Sequence, residues 1–569
     1  MRRSKTDILI LGAGGAGLFA ALHAKRAQPE LSVTIAVKGL LGKCGCTRMV
    51  QGGYNVALAE GDSVERHFMD TIEGGKWLPD QDLAWTLVTK AIERIHELEN
   101  ELGCFFDRNP DGTIHQKAFA GQTFDRTVHK GDLTGIEIMN RLAEQVWVSG
   151  VERLEEYRAV ELVKSDDGAI SGVVMIDMRE GDFVFVQAKS VLLATGGGPT
   201  MYRYHTPSGD KSCDGLAMAL RAGLTLRDME MVQFHPTGLL AGTGTRMTGT
   251  VLEEGLRGAG GYLLDAKYQR FMHKYDPRDE RATRDIVSRS MFAEMRAGNA
   301  TPNGGLYISM AHLGPDTVRA SFKGMVERCA DCGFDLAGGI VEVVPTAHYM
   351  MGGVEFRGDG ATSITGLFAA GEDTGGVHGA NRLGGNGVAN STVFGAIAGD
   401  AMAAWTVREG EWREPGAGTL DEAKARATAA FSKPAGNLDA IREELYRVMW
   451  EDAGIVRDAA SLARAQASLQ EIRERLHATG IHGGDLRYNL TWHDWLNLAS
   501  LLDVSVAICT AAQARTDSRG AHFREDHPET GDLARSEFTR VKMESGGLAI
   551  SWKPVEFTRV RPGQSLVAA

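Results

Sequence analysis

The chain opens on a glycine-rich turn between a strand and a helix, an arrangement that few folds accommodate. Residues 7–11 read as an apolar strand, Gly12-Ala-Gly-Gly-Ala-Gly17 follows, and residues 18–24 continue as an apolar helix. In this context G-x-G-x-x-G lets the backbone approach a pyrophosphate at the N-terminus of a helix. We therefore predict a dinucleotide-binding turn at Gly12, Gly14, Gly15 and Gly17.

The strand that follows this helix ends on a residue unusual for an NAD site. Residues 32–37 read as the second strand, and Lys38 stands where such domains carry an acid for the adenosine ribose. Because that acid is missing, the pattern favours a flavin-binding turn over an NAD site.

Two later strands that run into glycines predict that the nucleotide-binding domain is discontinuous in sequence. Residues 190–194 lead into Thr195-Gly-Gly-Gly198, and Gly366-Leu-Phe-Ala-Ala-Gly371-Glu372 repeats the pattern far downstream.

Hydrophobic periodicity predicts helices over residues 423–431, 438–450, 456–476 and 492–514, and a short strand is predicted over 552–561.

Composition excludes several classes of protein. Of 569 residues, 43% are hydrophobic and 24% are charged, which is typical of a large globular protein. A net charge of −12 without a long basic run argues against nucleic acid as a partner.

The seven scattered cysteines indicate a reducing compartment, and we expect no segment long and apolar enough to span a membrane. These features predict a small-molecule enzyme, and the histidine spacing suggests no metal site.

Charged and imidazole side chains lie beside glycines and prolines in the middle of the chain. The clusters are Gln233-Phe-His235, Glu253-Glu254-Gly-Leu-Arg257, Arg284-Asp285, Thr346-Ala-His348 and Asn381-Arg382. Arginine binds carboxylates through paired hydrogen bonds, and histidine adds a tunable donor. Each residue alone fits a capping or ion-pair role, whereas together they predict a pocket for an anionic substrate.

Taken in order, these motifs make the chain resemble the flavoprotein subunit of the succinate dehydrogenase and fumarate reductase family, to which L-aspartate oxidase also belongs. The similarity is nearly end to end and includes Thr47 with Gln51-Gly-Gly53, Asp132-Leu-Thr-Gly135 and Ser518-Arg-Gly-Ala-His-Phe-Arg524. It implies an α/β fold with a Rossmann-like FAD-binding domain from two chain segments, an inserted α+β capping domain, a C-terminal helical domain and a small C-terminal piece. The implied ranges are 1–235 and 351–405 for the FAD-binding domain, 236–350 for the cap, 406–535 for the helical domain and 536–569 for the last piece.

The resemblance also implies roles for individual residues. His235, His348 and Arg382 would bind the substrate carboxylates, Arg284 would carry the proton, and Glu254 would relay it. Hydride would move between flavin N5 and a carbon of a C–C single or double bond of the succinate and fumarate type. The implied FAD contacts are Gly12, Gly14 and Gly17 to the pyrophosphate, Glu372 to the ribose, and Gly15, Lys38, Cys46, Thr47, Gln51, Gly52, Gly53 and Asn386 elsewhere along the cofactor.

Three positions depart from the family pattern. Cys46 stands where respiratory members carry a histidine bonded covalently to FAD, so we predict non-covalent FAD and a site that favours alkene reduction, with a cysteinyl bond as the alternative. Glu253 replaces a threonine that helps to bind substrate, so its carboxylate has to be protonated, turned away or paired with Arg257. Gly387 replaces a serine and is expected to alter flavin contacts.

Phe119 separates two chemistries of the family. L-aspartate oxidase carries a glutamate for the amino group at this position, so Phe119 favours a substrate of the succinate and fumarate kind, with Phe119 and Glu253 among its contacts. An aspartate-type oxidase stays as the alternative, because Glu253 could itself serve an ammonium group. A reductase of another unsaturated acid and a flavin-binding subunit without activity are further options.

The resemblance leaves an iron–sulfur partner subunit open. A single C-x-x-C at Cys329 and Cys332, in a helical stretch, favours neither a cluster nor a redox disulfide in this chain. The expected location is cytoplasmic, with peripheral attachment to the inner face of the membrane through a partner as an option.

Overall fold

The computed structural model describes residues 1–567, which alternate strands and helices before ending in a helical region and a hairpin. The helices are α1 (Gly15–Ala27), α2 (Val64–Gly74), α3 (Gln81–Asn100), α4 (Thr134–Val148), α5 (Asp214–Ala222), α6 (Gly255–Gly258), α7 (Arg284–Glu294), α8 (Pro315–Ser321), α9 (Lys323–Asp331), α10 (Asn386–Arg408), α11 (Thr419–Ala427), α12 (Leu438–Glu451), α13 (Ala459–Ala478) and α14 (Leu490–Ala514). The strands are β1 (Arg2–Leu11), β2 (Val33–Val37), β3 (Tyr54–Asn55), β4 (Gln116–Lys117), β5 (Thr127–Val128), β6 (Glu152–Glu155), β7 (Tyr157–Lys164), β8 (Ile170–Asp177), β9 (Asp182–Leu193), β10 (Leu226–Arg227), β11 (Val232–Leu239), β12 (Tyr262–Leu264), β13 (Leu306–Ser309), β14 (Ile340–Met350), β15 (Gly353–Val354), β16 (Leu367–Ala369), β17 (Glu537–Glu544) and β18 (Gly547–Pro554).

The largest sheet has the strand order β6-β2-β1-β9-β8-β7, and β16 also pairs with β9. Strands β6, β2, β1, β9 and β16 run parallel, and β8 and β7 extend the sheet in antiparallel fashion. Leu367 pairs with Val191 and Ala369 with Leu193, so a distant part of the chain completes the same sheet. The Rossmann-like domain built from two chain segments is therefore confirmed.

Helices α1 and α10 pack closely because glycines face them at the crossing. A Cβ on Gly395 would lie 2.5 Å from the Ala16 carbonyl oxygen, and one on Gly399 would lie 2.4 Å from that of Ala20. No side chain fits in either space. This close packing brings α10 against the glycine turn that precedes α1.

The inserted capping domain contains a second sheet, in the order β11-β14-β13-β12, with α6 to α9. It has its own apolar core, which includes Leu263, Val287 and Ile308. β11 spans the predicted boundary at residues 235 and 236 and pairs along its length with β14. The two strands thus connect the cap to the FAD-binding domain.

Helices α11 to α14 form the predicted helical domain, and their ends differ from the predicted ranges by a few residues. The third of them was predicted from residue 456, but α13 begins at Ala459. Its start is set by Asp458, whose side chain accepts a hydrogen bond from the Ser461 backbone in a capping box.

Helix α14 is long and apolar enough, by length and composition, to cross a membrane, and it is the one such helix within residues 1–567. The expectation that no segment reaches this length and hydropathy is therefore wrong. The qualifying window has a mean hydropathy of 1.5, and 78% of it is buried inside the protein. A helix packed on most sides by the rest of the protein, here by other helices and by β17 and β18, is apolar all round, which explains its composition.

The last strand begins and ends earlier in the chain than predicted, since β18 spans Gly547–Pro554. β18 pairs with β17 and ends at Pro554, whereas the prediction ran from 552 to 561. Beyond it, the Gln81 side chain donates to the Val560 carbonyl at 2.7 Å and accepts from the Arg559 N–H at 2.8 Å. These residues bond to α3 instead of a neighbouring strand.

Candidate active site

A cavity of about 370 Å³ lies between the capping domain and the FAD-binding domain. A second cavity, of about 120 Å³, follows the glycine turn and the end of β2. Cys46, Thr47 and Glu372 line both, so the two spaces form one continuous cleft. The predicted cofactor and substrate residues, except Gly17 and Asn386, line this cleft.

The glycine turn has the geometry of an anion-binding helix start. Gly14 is the N-cap of α1, provides no side-chain cap, and is followed by a first turn without acidic residues, so backbone N–H groups are left for a ligand. Gly12 has a φ of 107°, and a Cβ there would lie 2.1 Å from the Ala194 carbonyl oxygen. Gly17 packs on the turn itself, since its Cβ would lie 1.9 Å from the Gly12 oxygen. Gly12, Gly14 and Gly15 line the cleft, whereas Gly17 shapes the turn behind it.

The predicted flavin-ring residues lie in the wider part of the cleft. The Thr47 hydroxyl accepts a hydrogen bond from the Gly15 N–H at 3.1 Å, which joins this segment to the glycine turn. Gln51 donates to the Val251 carbonyl at 3.0 Å, and its own buried carbonyl oxygen has no partner within residues 1–567. Gly52 and Gly53 also line the cavity. An unpartnered buried acceptor beside a glycine cradle fits an elongated dinucleotide such as FAD.

Lys38 and Asn386 make protein contacts that the sequence did not predict. Lys38 lines the narrow part of the cleft, where its ammonium group donates to Asp214 at 2.8 Å. The Asn386 side chain is buried beside the wide cavity and accepts hydrogen bonds from Asn55 at 2.9 Å and His67 at 3.0 Å. Asn386 therefore holds the start of α10 in place and does not line the cleft.

Burial raises the pKa of two groups beside the cleft. Burial raises the pKa of Glu372 to about 7, although its carboxylate accepts from the Met350 N–H at 3.0 Å. Burial, with the nearby Glu372 charge, raises the pKa of the Cys46 thiol to about 12. A thiol with so high a pKa is a poor nucleophile at neutral pH.

The best-connected part of the site is an Arg284–Glu254–Arg257 cluster, all buried. Arg284 is the first residue of α7, and it donates to Glu254 at 2.7 Å and to Gln233 at 2.9 Å. Arg257 donates to the other Glu254 oxygen at 2.9 Å. Burial would favour the protonated acid, but Arg284 and Arg257 hold the pKa of Glu254 below its usual value. Glu254 and Arg284 line the cavity, and Arg257 lies behind them.

The two predicted histidines face each other across the paired strands β11 and β14. His235 lies at an irregularity of β11 before Pro236, which lacks an N–H for the ladder, and its ring centroid is 5.3 Å from that of His348. The Thr206 hydroxyl lies 2.8 Å from His348 Nδ1. Burial, followed by the charge of Arg284, lowers the pKa of both imidazoles well below the usual value, so both are neutral in the absence of an anion.

Arg382 completes the cationic wall of the cavity. Its guanidinium stacks over the Tyr349 ring at 4.4 Å, and its buried Nε has no partner within the described residues. Burial, followed by repulsion from Arg284, lowers its pKa to about 10. A Cβ on Gly387 would lie 2.9 Å from Arg382 Nη1, so a glycine at this position leaves room for the arginine.

Glu253 lines the same cavity and pairs with a residue that the sequence did not identify. Its carboxylate lies 3.3 Å from Lys117 Nζ, whereas Arg257 pairs with Glu254. Of the three options for this carboxylate (protonated, turned away or paired with Arg257), the pairing with Arg257 is therefore wrong. Burial raises the pKa of Glu253 despite Lys117. Phe119 also lines the cavity and packs on Gly52, where a Cβ would lie 2.1 Å from the ring.

Two further residues of the site are Gln233, which the sequence analysis named without a role, and Arg328, which it missed. Gln233 bridges the walls of the cavity, because it accepts from Arg284 and donates to the Arg382 carbonyl at 2.7 Å. Arg328, on α9 of the cap, lines the cavity and donates to the Val251 carbonyl at 3.3 Å. Gln233 lies in the same short motif as His235, but nothing in the sequence around Arg328 distinguishes it from a surface helix residue.

Comparison with known proteins accounts for this arrangement. Residues 7–388 match the FAD binding domain family, and residues 442–566 match the fumarate reductase flavoprotein C-terminal family. The chain is 38% identical to one subunit of the fumarate reductase (CoM/CoB) of Methanothermobacter marburgensis, over 95% of this chain and 97% of the relative. It is 35% identical to the 8-methylmenaquinol:fumarate reductase flavoprotein subunit of Wolinella succinogenes, over 98% and 91%.

The fold gives the same result. The solved structure of a point mutant of E. coli quinol fumarate reductase FrdA superposes with a TM-score of 0.93 and 32% identity, and 99% of each chain is covered. Sequence and structure agree over the whole length of the chain, including the cap and the helical region. The chain therefore belongs to the family of FAD-dependent fumarate reductase and succinate dehydrogenase flavoprotein subunits.

Proposed function

We propose that this protein interconverts succinate and fumarate with FAD, and that Arg284 transfers the proton. The observation that carries the proposal is the cavity itself, in which Arg284, held by Glu254 and Gln233, faces the same space as His235, His348 and Arg382. FAD, when bound along the cleft, supplies a hydride donor or acceptor. The chain's own residues supply binding, orientation and the proton.

Arg382 and the two histidines bind the substrate carboxylates in this proposal. Arg382 has a buried N–H without a partner in the described chain, and it suits a planar carboxylate. The Thr237 N–H donates to His235 Nδ1 at 3.3 Å, which assigns the imidazole proton to Nε2. Neutral imidazoles then donate hydrogen bonds without adding to the charge that Arg284 and Arg382 already place there.

Proton transfer uses the Arg284 cluster. In the direction of fumarate reduction, the Arg284 guanidinium gives a proton to one alkene carbon while the other carbon receives hydride. Glu254 contacts two nitrogens of Arg284, at 2.7 and 3.2 Å, and is positioned to return a proton to it. Arg257 donates to the other Glu254 oxygen at 2.9 Å and so holds this carboxylate in place beside Arg284.

We also propose that FAD is bound non-covalently. Supporting this, the Cys46 thiol has a pKa of about 12 and is therefore protonated at neutral pH. Acid precipitation of the purified protein tests it: yellow cofactor in the supernatant is expected, and flavin retained in the pellet would show a covalent bond.

We assign the protein a place in a multi-subunit complex. The relatives are named as subunits of fumarate reductases, and the match covers nearly all of each chain. An iron–sulfur subunit is the proposed electron partner, and attachment through it would place the chain at the cytoplasmic face of the membrane. The apolar helix α14 is mostly buried and so is occupied by intramolecular packing.

The aspartate oxidase alternative has less support from the site. An ammonium group would need an unpaired carboxylate, but the Glu253 carboxylate is paired with Lys117 at 3.3 Å, and Phe119 offers no charge. A subunit without activity is disfavoured because the Arg284 cluster is complete.

The test is anaerobic reoxidation of the reduced holoenzyme, followed by flavin absorbance. Rapid reoxidation by fumarate, with no reduction of the oxidised enzyme by L-aspartate, is expected. Reduction by aspartate together with slow reoxidation by fumarate would favour the oxidase, and inertness toward both would reject the proposed function.

A further inference from the structure

Glu253 places a carboxylate on the wall of a cavity built for anions. Its side chain is 2% exposed and lines the same space as Arg284, Arg382 and the two histidines. A buried carboxylate facing an anionic substrate repels it strongly unless the charge is neutralised. The protonation state of Glu253 therefore decides how a dicarboxylate binds.

The cation that pairs with Glu253 does not itself line the cavity. Lys117 Nζ is 3.3 Å from both Glu253 oxygens and 3.3 Å from the Gly131 carbonyl, which lies outside the cavity. Among residues 1–567, Lys117 is not part of the cavity lining, whereas Glu253 is. The wall that an incoming carboxylate meets therefore includes Glu253 but not Lys117.

The other charged groups around Glu253 do not resolve this conflict. Asp132, before α4, and the adjacent Glu254 both oppose its negative charge, and burial raises the pKa of Glu253. Glu254 is already paired with Arg284 and Arg257. Arg328, from α9, lines the cavity and donates to the Val251 carbonyl at 3.3 Å. Arg382 lines the opposite, histidine-bearing part of the site, over Tyr349.

We propose that Glu253 binds the substrate in its protonated form and donates a hydrogen bond to one substrate carboxylate, so that dicarboxylate binding takes up one proton at this residue. The proton comes from solvent, since the Lys117 side chain behind Glu253 is 18% exposed. It converts the Glu253 carboxylate to a carboxylic acid, and no other bond changes. The inference rests on the proposed function and specifies how its substrate is held.

The proposal predicts a particular pH dependence of affinity. Above the pKa of Glu253 in the free site, binding has to include protonation, so the dissociation constant for a dicarboxylate rises by up to about tenfold per pH unit. His235 and His348 face the same anion and are also able to take up protons. The contribution of Glu253 is therefore the difference between wild type and a variant that alters only this group.

The matched variants are Glu253→Gln, which keeps the shape and a permanent donor, and Lys117→Met, which removes the cation. Binding of fumarate to the oxidised holoenzyme is measured by flavin difference absorbance between about pH 6 and about pH 9, with FAD content as the check of folding. Proton uptake is measured by titration calorimetry in buffers of different ionisation enthalpy.

We expect Glu253→Gln to bind fumarate with a shallower pH dependence and with about one proton less taken up than by wild type. Lys117→Met should extend tight binding to higher pH, because Glu253 then ionises less readily. Parallel pH profiles for wild type and Glu253→Gln, weaker binding of Lys117→Met at every pH, or no dicarboxylate binding by wild type would each overturn the proposal. Turnover with fumarate, measured separately, reports on the proposed function, and binding without turnover would leave the Glu253 result standing.

Discussion

Replacing Arg284 by glutamine tests the proton-transfer cluster most directly. The variant loses the contacts to Glu254 at 2.7 Å and to Gln233 at 2.9 Å but keeps an amide in the cavity. Glu254 is then left buried with Arg257 as its one remaining guanidinium partner within residues 1–567. Both the rate of turnover and the stability of the fold should change.

The magnitudes follow from the burial of these groups. Positioned proton transfer contributes about 10²- to 10⁴-fold to a rate, so kcat for fumarate should fall at least about 100-fold. Breaking a buried ion pair costs about 3–5 kcal/mol, which predicts a lower melting temperature. Because Arg284 helps to hold the pKa of Glu254 down, its loss should raise that pKa and partly relieve the cost.

The assay is oxidation of a reduced dye by fumarate with FAD content and thermal unfolding measured on the same samples. Arg289→Gln is the matched control, because Arg289 lies on the same helix but stacks on Phe523 at 4.7 Å, away from the cavity. Its kcat should stay near wild type. If Arg284→Gln retained its FAD and turned over within about tenfold of wild type, Arg284 would be removed from the mechanism.

Three other outcomes are expected. Cys46→Ala should bind FAD that acid still releases, and flavin that stays in the pellet of wild type but not of this variant would identify Cys46 as a covalent attachment point. In the folded apoprotein Glu372 has a pKa of about 7, against an ordinary value of 4.5 in the unfolded chain, so the free energy of unfolding should fall as pH rises between these values. Glu372→Gln should remove this pH dependence, which is worth up to about 3 kcal/mol. Identical urea midpoints of the wild type across the range would contradict it. Gly17→Ala should destabilise the protein by about 3 kcal/mol, because the new Cβ would lie 1.9 Å from the Gly12 oxygen. Gly14→Ala is the control, because the nearest atom to its Cβ in the apoprotein is 3.7 Å away. Equal melting temperatures of the two variants would refute the steric argument.

Residues that belong to a sequence motif were predictable, and residues that act through a distant partner were not. His235, His348 and Arg382 lie within four residues of a glycine in the sequence, Arg284 begins helix α7, and all four line one cavity. For Glu253, pairing with Arg257, a near neighbour on the chain, was one of three options, but the partner is Lys117. An ion pair between β4 and the cap depends on how the cap is seated, which local spacing does not encode.

The same distinction applies to the cofactor cleft. The glycines of the first turn could be predicted from the sequence, because Gly12 has a φ of 107° and Gly17 has no room for a side chain. Both constraints are local. Asn386 was predicted to contact FAD, but its side-chain oxygen accepts hydrogen bonds from Asn55 and His67. Buried amides are recruited by whichever donors the fold brings near, and these come from other parts of the chain.

By itself, the sequence determined the strand–glycine–helix turn, the return of a second segment to the same sheet and the types of side chain in the site, because these depend on backbone sterics, hydrophobic periodicity and side-chain chemistry. Tertiary structure alone decided the charge state of those side chains. His235 and His348 are neutral, and Glu253 has a raised pKa, because burial removes water from around each group. Desolvation and distant charges set these protonation states, and both arise only when the cap and the FAD-binding domain come together.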